Sequence, residues 1–210
     1  MTAKPARAPR AALALVLAAG LLPPLAGPVR AADQSDPDWP CVQRKVPNLS
    51  AGQMWAGPPA EGNWEDDPEI ARLAGVMAAR RTSLDEVRAL ATDYASGLDT
   101  AERPARMALL FSGVLDRIDT ERRQIMSGIS RYAHSQVALS DAVKEKEAAL
   151  AELRAASEAD LDKVEEAQDN LNWDIRVFRE RSQSLTYVCE TPVLLEQRAF
   201  AIARILAEFT

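Results

Sequence analysis

The sequence of 210 residues predicts an all-α protein built around a long antiparallel coiled-coil helical hairpin on a small helical base. Two long stretches carry apolar residues at alternating steps of three and four, the spacing that keeps one stripe of a helix against a partner helix. Signals that begin and end helices mark shorter apolar stretches on either side. A segment rich in Pro, Gly and Trp precedes the helices, and we expect it to run extended as an N-terminal arm.

The first 31 residues have the three parts of a secretory signal peptide. Lys4, Arg7 and Arg10 give a basic start, an apolar run covers residues 11–22, and a peptidase site ends at Ala31. The apolar run is shorter than the roughly 20 residues that a membrane span needs. We therefore expect cleavage after Ala31 and a periplasmic or secreted mature protein, with no membrane insertion after cleavage.

The charge balance argues against nucleic acid as a partner. The chain has 25 Lys and Arg against 31 Asp and Glu, and four of the basic residues lie in the first 31 residues. A chain this acidic, without a concentrated basic stripe, is repelled by phosphate backbones and anionic lipid surfaces. We expect no nucleic-acid partner.

Two cysteines far apart in sequence predict one disulfide, between Cys41 and Cys189. A redox pair is more typically close-set, and the C-x-x-C and C-x-x-C-H motifs of redox and haem sites do not occur. We expect this bond to be structural, with free thiols or an intermolecular bond as the alternatives.

The predicted arm covers residues 32–66 and holds three of the four tryptophans, Trp39, Trp55 and Trp64. Proline and glycine recur too often in this segment for a helix. Each indole can bury on the order of 150–250 Å². Two roles follow for the three side chains: they pack the arm across the helices, or they form a candidate partner-binding surface, because Trp is enriched at binding hot spots.

Residues 67–210 are predicted to form one all-helical domain, which begins with two short helices. Asp67 is an N-cap followed by proline at the first helical position. Ser83 and Glu86 form a capping box for the second helix, which we expect to stop near Gly97. Thr100 is the candidate cap of the helix that follows.

The coiled-coil hairpin is predicted to cover residues 100–188. In its first helix, residues recur at intervals of seven: Ile118, Ile125, Tyr132, Leu139, Lys146 and Leu153. Its second helix carries a stripe at steps of three and four: Leu161, Val164, Gln168, Leu171, Ile175, Phe178, Ser182, Leu185 and Cys189.

The two helices must meet near residues 154–160, where Ser157 is the candidate cap of the second helix. Without Gly or Pro in this turn, one unbroken helix from Thr100 to Leu185 is the alternative. The hairpin is preferred because each stripe then finds a partner within one chain, while monomer or dimer stays undecided. After Cys189, we expect Thr191 and Pro192 to end one helix and start a last apolar one.

Catalytic signatures are absent from the sequence. Metal sites and a Ser-His-Asp triad would both depend on His134, the one histidine. Pairs of carboxylates are the background of an acidic helical protein and specify no chemistry. We therefore expect no enzyme, no catalytic residue, no cofactor and no metal site. Arg122 is expected on a solvated face, with burial opposite Glu196 as the alternative.

These observations predict an exported, non-catalytic coiled-coil accessory protein that binds another envelope protein. The alternative is a periplasmic helical bundle that binds a small ligand or metal ion in its base. A closed base with exposed aromatic residues would favour the first function, and an apolar cavity with converging polar groups would favour the second.

Overall fold

Helices dominate the part of the chain that the computed structural model describes, residues 38–158 and 160–210. The elements in order are α1 (Ala51–Met54), one turn of 3-10 helix (Trp64–Asp66), α2 (Pro68–Ala78), α3 (Leu84–Ser96), α4 (Arg103–Ala155) and α5 (Leu161–Ala207). No strand occurs among the described residues, which confirms the all-α prediction. The predicted signal peptide and residues 32–37 of the predicted arm lie outside these residues.

The two short helices α2 and α3 begin where their capping signals predict. The Asp67 side chain accepts hydrogen bonds from the backbone N–H groups of Glu69 and Ile70, and Pro68 takes the first helical position. Ser83 and Glu86 form both bonds of the capping box. Helix α3 ends at Ser96, with Gly97 as its C-cap. Both predicted N-caps are therefore confirmed.

The base consists of α2, α3, the first part of α4 and the last part of α5. Arg198 ties α5 to the end of α2 and to the turn before α3, since its guanidinium donates to the carbonyl oxygens of Met77, Ala78 and Thr82 at distances of 2.6, 3.1 and 2.8 Å. Large side chains fill the interior. The largest fully buried ones in this core are Phe111, Ile70, Met77, Met107, Leu110, Ile118, Leu195, Ile202, Leu206, Val87 and Val114.

Helices α4 and α5 lie against each other in antiparallel directions. Tyr132 Oη donates to the carbonyl oxygen of Arg181 at 3.2 Å, and Lys146 Nζ lies 2.6 Å from Asp174 Oδ2. As the residue number rises along α4, the number of its partner on α5 falls. The structure therefore has two helices here rather than one unbroken helix through residues 100–185.

The turn between α4 and α5 is built differently from the prediction. Helix α4 ends at Ala155, and the cap of α5 is Asp160 rather than Ser157. Asp160 Oδ1 accepts from the backbone N–H of Lys163 at 3.3 Å, and its other carboxylate oxygen lies 3.0 Å from Lys163 Nζ. A carboxylate at this position also complements the positive end of the helix dipole, which a serine hydroxyl cannot do.

The prediction that Thr191 and Pro192 separate two helices is wrong. Helix α5 continues from Leu161 to Ala207 with Pro192 inside it. Proline removes one N–H donor and strains the preceding turn, at a cost of about 3 kcal/mol. Cys189, Pro192 and Leu195 are all buried on the same side of α5, so burial on both sides of the proline offsets that cost.

The start of α4 also differs from the prediction, because Thr100 does not cap it. The helix begins at Arg103 after Glu102, which makes no side-chain capping bond. Residues 99–103 form a turn in which the carbonyl oxygen of Asp99 accepts from the N–H groups of Glu102 and Arg103. None of the described helices has the length and apolar character that a membrane crossing requires.

Candidate interaction surface

The disulfide joins the N-terminal arm to α5. Cys41 is bonded to Cys189 with a Cα–Cα distance of 5.5 Å across a sequence separation of 148 residues. A small buried cluster surrounds the bond, and its other members are Trp39, Met126 and Ile129. The structure thus pairs the two cysteines that the sequence offers, and it places them against the middle of α4.

The arm's tryptophans lie against the helices. Trp39 is buried beside the disulfide, and its Nε1 donates to the carbonyl oxygen of Gln43 at 2.6 Å. The ring of Trp55 stacks on that of Phe111 at a centroid distance of 5.1 Å. Their positions favour the packing role over the partner-binding role for both residues.

Trp64 packs on α4 through a contact that needs a glycine. A Cβ atom on Gly113 would lie 3.0 Å from the indole of Trp64, so a larger residue would push the ring away. The Arg117 guanidinium lies 5.0 Å from the centroid of the same indole, within the range of a cation–π interaction. Trp64 is therefore half-buried between backbone and guanidinium, which again favours packing.

The described part of the arm is not extended throughout. Residues 51–54 form the single turn α1, and residues 64–66 form the 3-10 turn, although the sequence predicts no helix in this segment. Asp119 anchors the part of the arm that lies between Cys41 and α1, because its Oδ1 accepts from the backbone N–H of Leu49 at 3.0 Å. Contacts with the long helices thus decide the local conformation of the arm.

Arg122 is buried, so the prediction of a solvated face is wrong. Only 2% of the residue is exposed, and its Nη1 lies 3.9 Å from Asp119 Oδ1 rather than beside Glu196. Its Nε and Nη1 have no hydrogen-bond partner among the described residues. The arm reaches α4 at the neighbouring Asp119 through the Leu49 bond, a contact that residue spacing along α4 could not reveal.

A hydrogen-bonded network in the base contains two residues whose pKa values are shifted, Asp67 and Tyr94. Arg106 donates from Nε to Tyr94 Oη at 2.9 Å and from Nη2 to Asp67 Oδ2 at 2.7 Å. The backbone N–H of Ile70, followed by Arg106, lowers the pKa of Asp67 below its ordinary value, while burial raises the pKa of Tyr94. This network ties the start of α2 to α3 and α4.

The base offers surface grooves to a ligand. One groove of about 490 Å³ runs beside Trp64 and is lined by Arg117, Asp116 and Glu121 among others. It is open and mixed in charge, whereas the interior beneath it is filled by side chains. No cluster of three or more His, Cys, Asp or Glu suited to a metal ion occurs in residues 38–158 and 160–210. His134 is exposed and pairs with Asp38.

The two most exposed aromatic residues of the described chain lie on a face of α5 that the sequence analysis did not identify. Trp173 is 59% exposed and Tyr187 is 75% exposed. They belong to a second stripe at steps of four and three, which we call the outer stripe and whose members are all exposed: Asp162, Glu166, Asp169, Trp173, Arg176, Glu180, Gln183, Tyr187, Glu190 and Leu194. The repeat is present in the sequence, but its many charges hide it from a search for apolar spacing.

Similarity to known proteins gives no indication of what the chain does. No family model, no curated protein and no solved structure matches the chain.

Proposed function

We propose that the chain is an exported, non-catalytic interaction protein whose α4–α5 hairpin is a projecting coiled coil that binds another envelope protein. The observation that carries the proposal is the length of the two helices, which continue well beyond the base. At 53 residues, α4 extends over about 80 Å, and α5 at 47 residues over about 70 Å.

The far part of the hairpin has no role in closing the base core. Along α4, the arm's contact with His134 is the last described contact that involves anything besides the two helices. Beyond it, residues 137–155 extend α4 by about 28 Å. Lys146 with Asp174 and Arg154 with Gln168 link the helices there.

A two-helix projection of this kind exposes more surface than it buries. Each helix covers one stripe of its neighbour and presents its remaining faces outward, where a partner helix or groove can bind them. The three tryptophans of the arm pack inward, whereas Trp173 and Tyr187 of α5 face outward. The hairpin therefore offers the aromatic contact area that an interaction protein needs.

Export is part of the same proposal. The basic and apolar pattern of residues 1–31 is that of a secretory signal peptide, and a disulfide between distant cysteines persists in an oxidising compartment. Both features favour the periplasm or the outside of the cell.

Site-specific photocrosslinking in the intact envelope tests this function. A photoreactive amino acid in place of Val137, which is exposed on α4 in the hairpin, is expected to capture one specific protein. The same substitution at Val76, exposed on α2 in the base, is the matched control and is expected to capture none.

The captured protein must be the same in independent cultures, and excess unmodified mature protein must compete it away. Capture at Val76 with none at Val137 would contradict a role for the hairpin, as would labelling at both positions with equal yield.

A further inference from the structure

We infer that the hairpin bends relative to the base at the level of the disulfide, and that the arm limits this bending. The bending point, which we call the joint, consists of Ser127 and Gly128 in α4 and Pro192 in α5. The limiting segment, which we call the splint, is residues 38–55. The inference goes beyond the proposed function, because it concerns how the hairpin moves and not what it binds.

Pro192 interrupts the hydrogen bonding of α5. It has no N–H group, so the carbonyl oxygen of Val188, four positions earlier, lacks the donor that any other residue type would supply. Proline is one of the few causes of a sharp bend in a long helix. Pro192 lies three residues, or about 4.5 Å, beyond Cys189 along α5. The point at which α5 bends most easily is therefore next to the disulfide.

Helix α4 has an equivalent point at the same level. Met126 and Ile129 pack in the cluster that surrounds the disulfide. The two residues between them are Ser127 and Gly128, and a Gly/Ser pair is another recognised cause of a bend. Glycine inside a helix costs about 1 kcal/mol relative to alanine. Packing does not require this glycine, because a Cβ atom on Gly128 would meet only Arg131 Nη2 among the described residues, at 3.9 Å.

The apolar core is divided beside the joint. The buried members of the base core end at Ile118 on α4 and begin at Leu195 on α5. Beyond Ile118, two charged side chains are buried in α4, Asp119 and Arg122. The base core and the disulfide cluster are both in contact with the half-buried Ile125, but they share no fully buried residue. Bending at the joint therefore disrupts little apolar packing.

The splint runs along α4 across this level. Asp38 pairs with His134 on the hairpin side of the joint, and Trp55 stacks on Phe111 on the base side. These two contacts on α4 are 23 residues apart, or about 34 Å. The disulfide and the Leu49 bond to α4 hold the splint between them. A segment fixed on both sides of the joint opposes its bending, because a bend changes the distance between the fixed points.

Distances between spin labels test the joint and the splint. Nitroxide labels are attached to cysteines that replace Ala148 in the hairpin and Arg72 in the base, both exposed, and double electron–electron resonance measures their separation. The otherwise unaltered chain is expected to give one narrow distance distribution. Adding Cys41→Ser and Cys189→Ser, which frees the middle of the splint, is expected to widen the distribution about twofold.

Alanine variants distinguish bending at the joint from general loosening. Gly128→Ala and Pro192→Ala together place good helix formers at the joint, and in the chain without the disulfide they are expected to restore the narrow distribution. The matched control carries Ser135→Ala and Ser184→Ala, exposed positions of α4 and α5 on the hairpin side, and is expected to stay wide. Far-UV circular dichroism verifies that the variants are folded.

Three outcomes would overturn the inference. They are an unchanged distribution without the disulfide, a wide one that persists after the changes at Gly128 and Pro192, and equal narrowing by the control.

Backbone hydrogen exchange in the disulfide-bonded chain gives a second test, which stands even where the serine variant does not fold. Amides of residues 125–132 and 189–195 are expected to exchange faster than those of residues 107–118 and 139–146. Gly128→Ala with Pro192→Ala is expected to slow exchange at the joint at least about tenfold. Exchange at the joint that is no faster than on both sides of it, or that the two alanine changes do not slow, would also overturn the inference.

Discussion

Replacing Cys41 and Cys189 together by serine is expected to lower the free energy of unfolding by about 4–5 kcal/mol. The bond closes a loop across 148 residues, and its loss frees the unfolded chain from that constraint. In the folded chain it holds Trp39 over Met126 and Ile129, so the double replacement also weakens a buried cluster. Urea denaturation followed by circular dichroism measures the change.

The unaltered chain treated with a thiol reductant is the matched comparison and is expected to show the same loss. The Cys41→Ser, Cys189→Ser variant is also expected to be cleaved faster by proteases within residues 38–48. This segment loses its anchor at Cys41, whereas Leu49 stays bonded to Asp119. A change smaller than about 1 kcal/mol in the free energy of unfolding would contradict a structural role for the bond.

Phe111→Ala is expected to destabilise the base by about 3–5 kcal/mol. Phe111 is fully buried in the base core, and its ring stacks on Trp55, so its removal leaves a cavity and loosens the arm at the same time. Denaturant unfolding followed by tryptophan fluorescence measures both effects.

Phe200→Ala is the matched control because Phe200 lies on the same base and is 36% exposed. Its loss is expected to be about 1–2 kcal/mol, since the ring is only partly removed from water on folding and its truncation leaves no closed cavity. Equal losses for the two alanine variants would contradict the placement of Phe111 in a closed core.

Local capping signals predicted the short helices well because they act over a few residues. An aspartate before Pro68, and Ser83 three residues before Glu86, satisfy the first N–H groups of their helices whatever the tertiary structure around them. The alternating steps of three and four likewise predicted α4 and α5, since an apolar stripe of that length requires a cover.

Other features depend on tertiary contacts that spacing does not encode. Pro192 is a helix-breaking signal in sequence, but the buried side chains before and after it keep α5 continuous. Arg122 belongs to a charged cluster that is typical of a solvated face, but it is buried beside Asp119, to which Leu49 of the arm is bonded. The choice of Asp160 over Ser157 depends on its additional pairing with Lys163.

The candidate surface was only partly predictable. The tryptophans of the arm were the conspicuous aromatic residues in sequence, and the structure places them against helices through Phe111, Gly113 and the disulfide cluster. The outer stripe of α5 was missed because seven of its ten positions are polar or charged. Its regular spacing becomes meaningful only once the opposite face of α5 is known to be buried.

The most direct test of the central claim, a coiled-coil hairpin formed within one chain, is a zero-length crosslink between Lys146 and Asp174. Their charged atoms lie 2.6 Å apart across the two helices. In a mixture of ordinary and ¹⁵N-labelled mature protein, a hairpin predicts that this crosslinked peptide is either wholly ordinary or wholly labelled. Peptides that pair an ordinary Lys146 segment with a labelled Asp174 segment would show that the helices meet between chains, and would contradict the account.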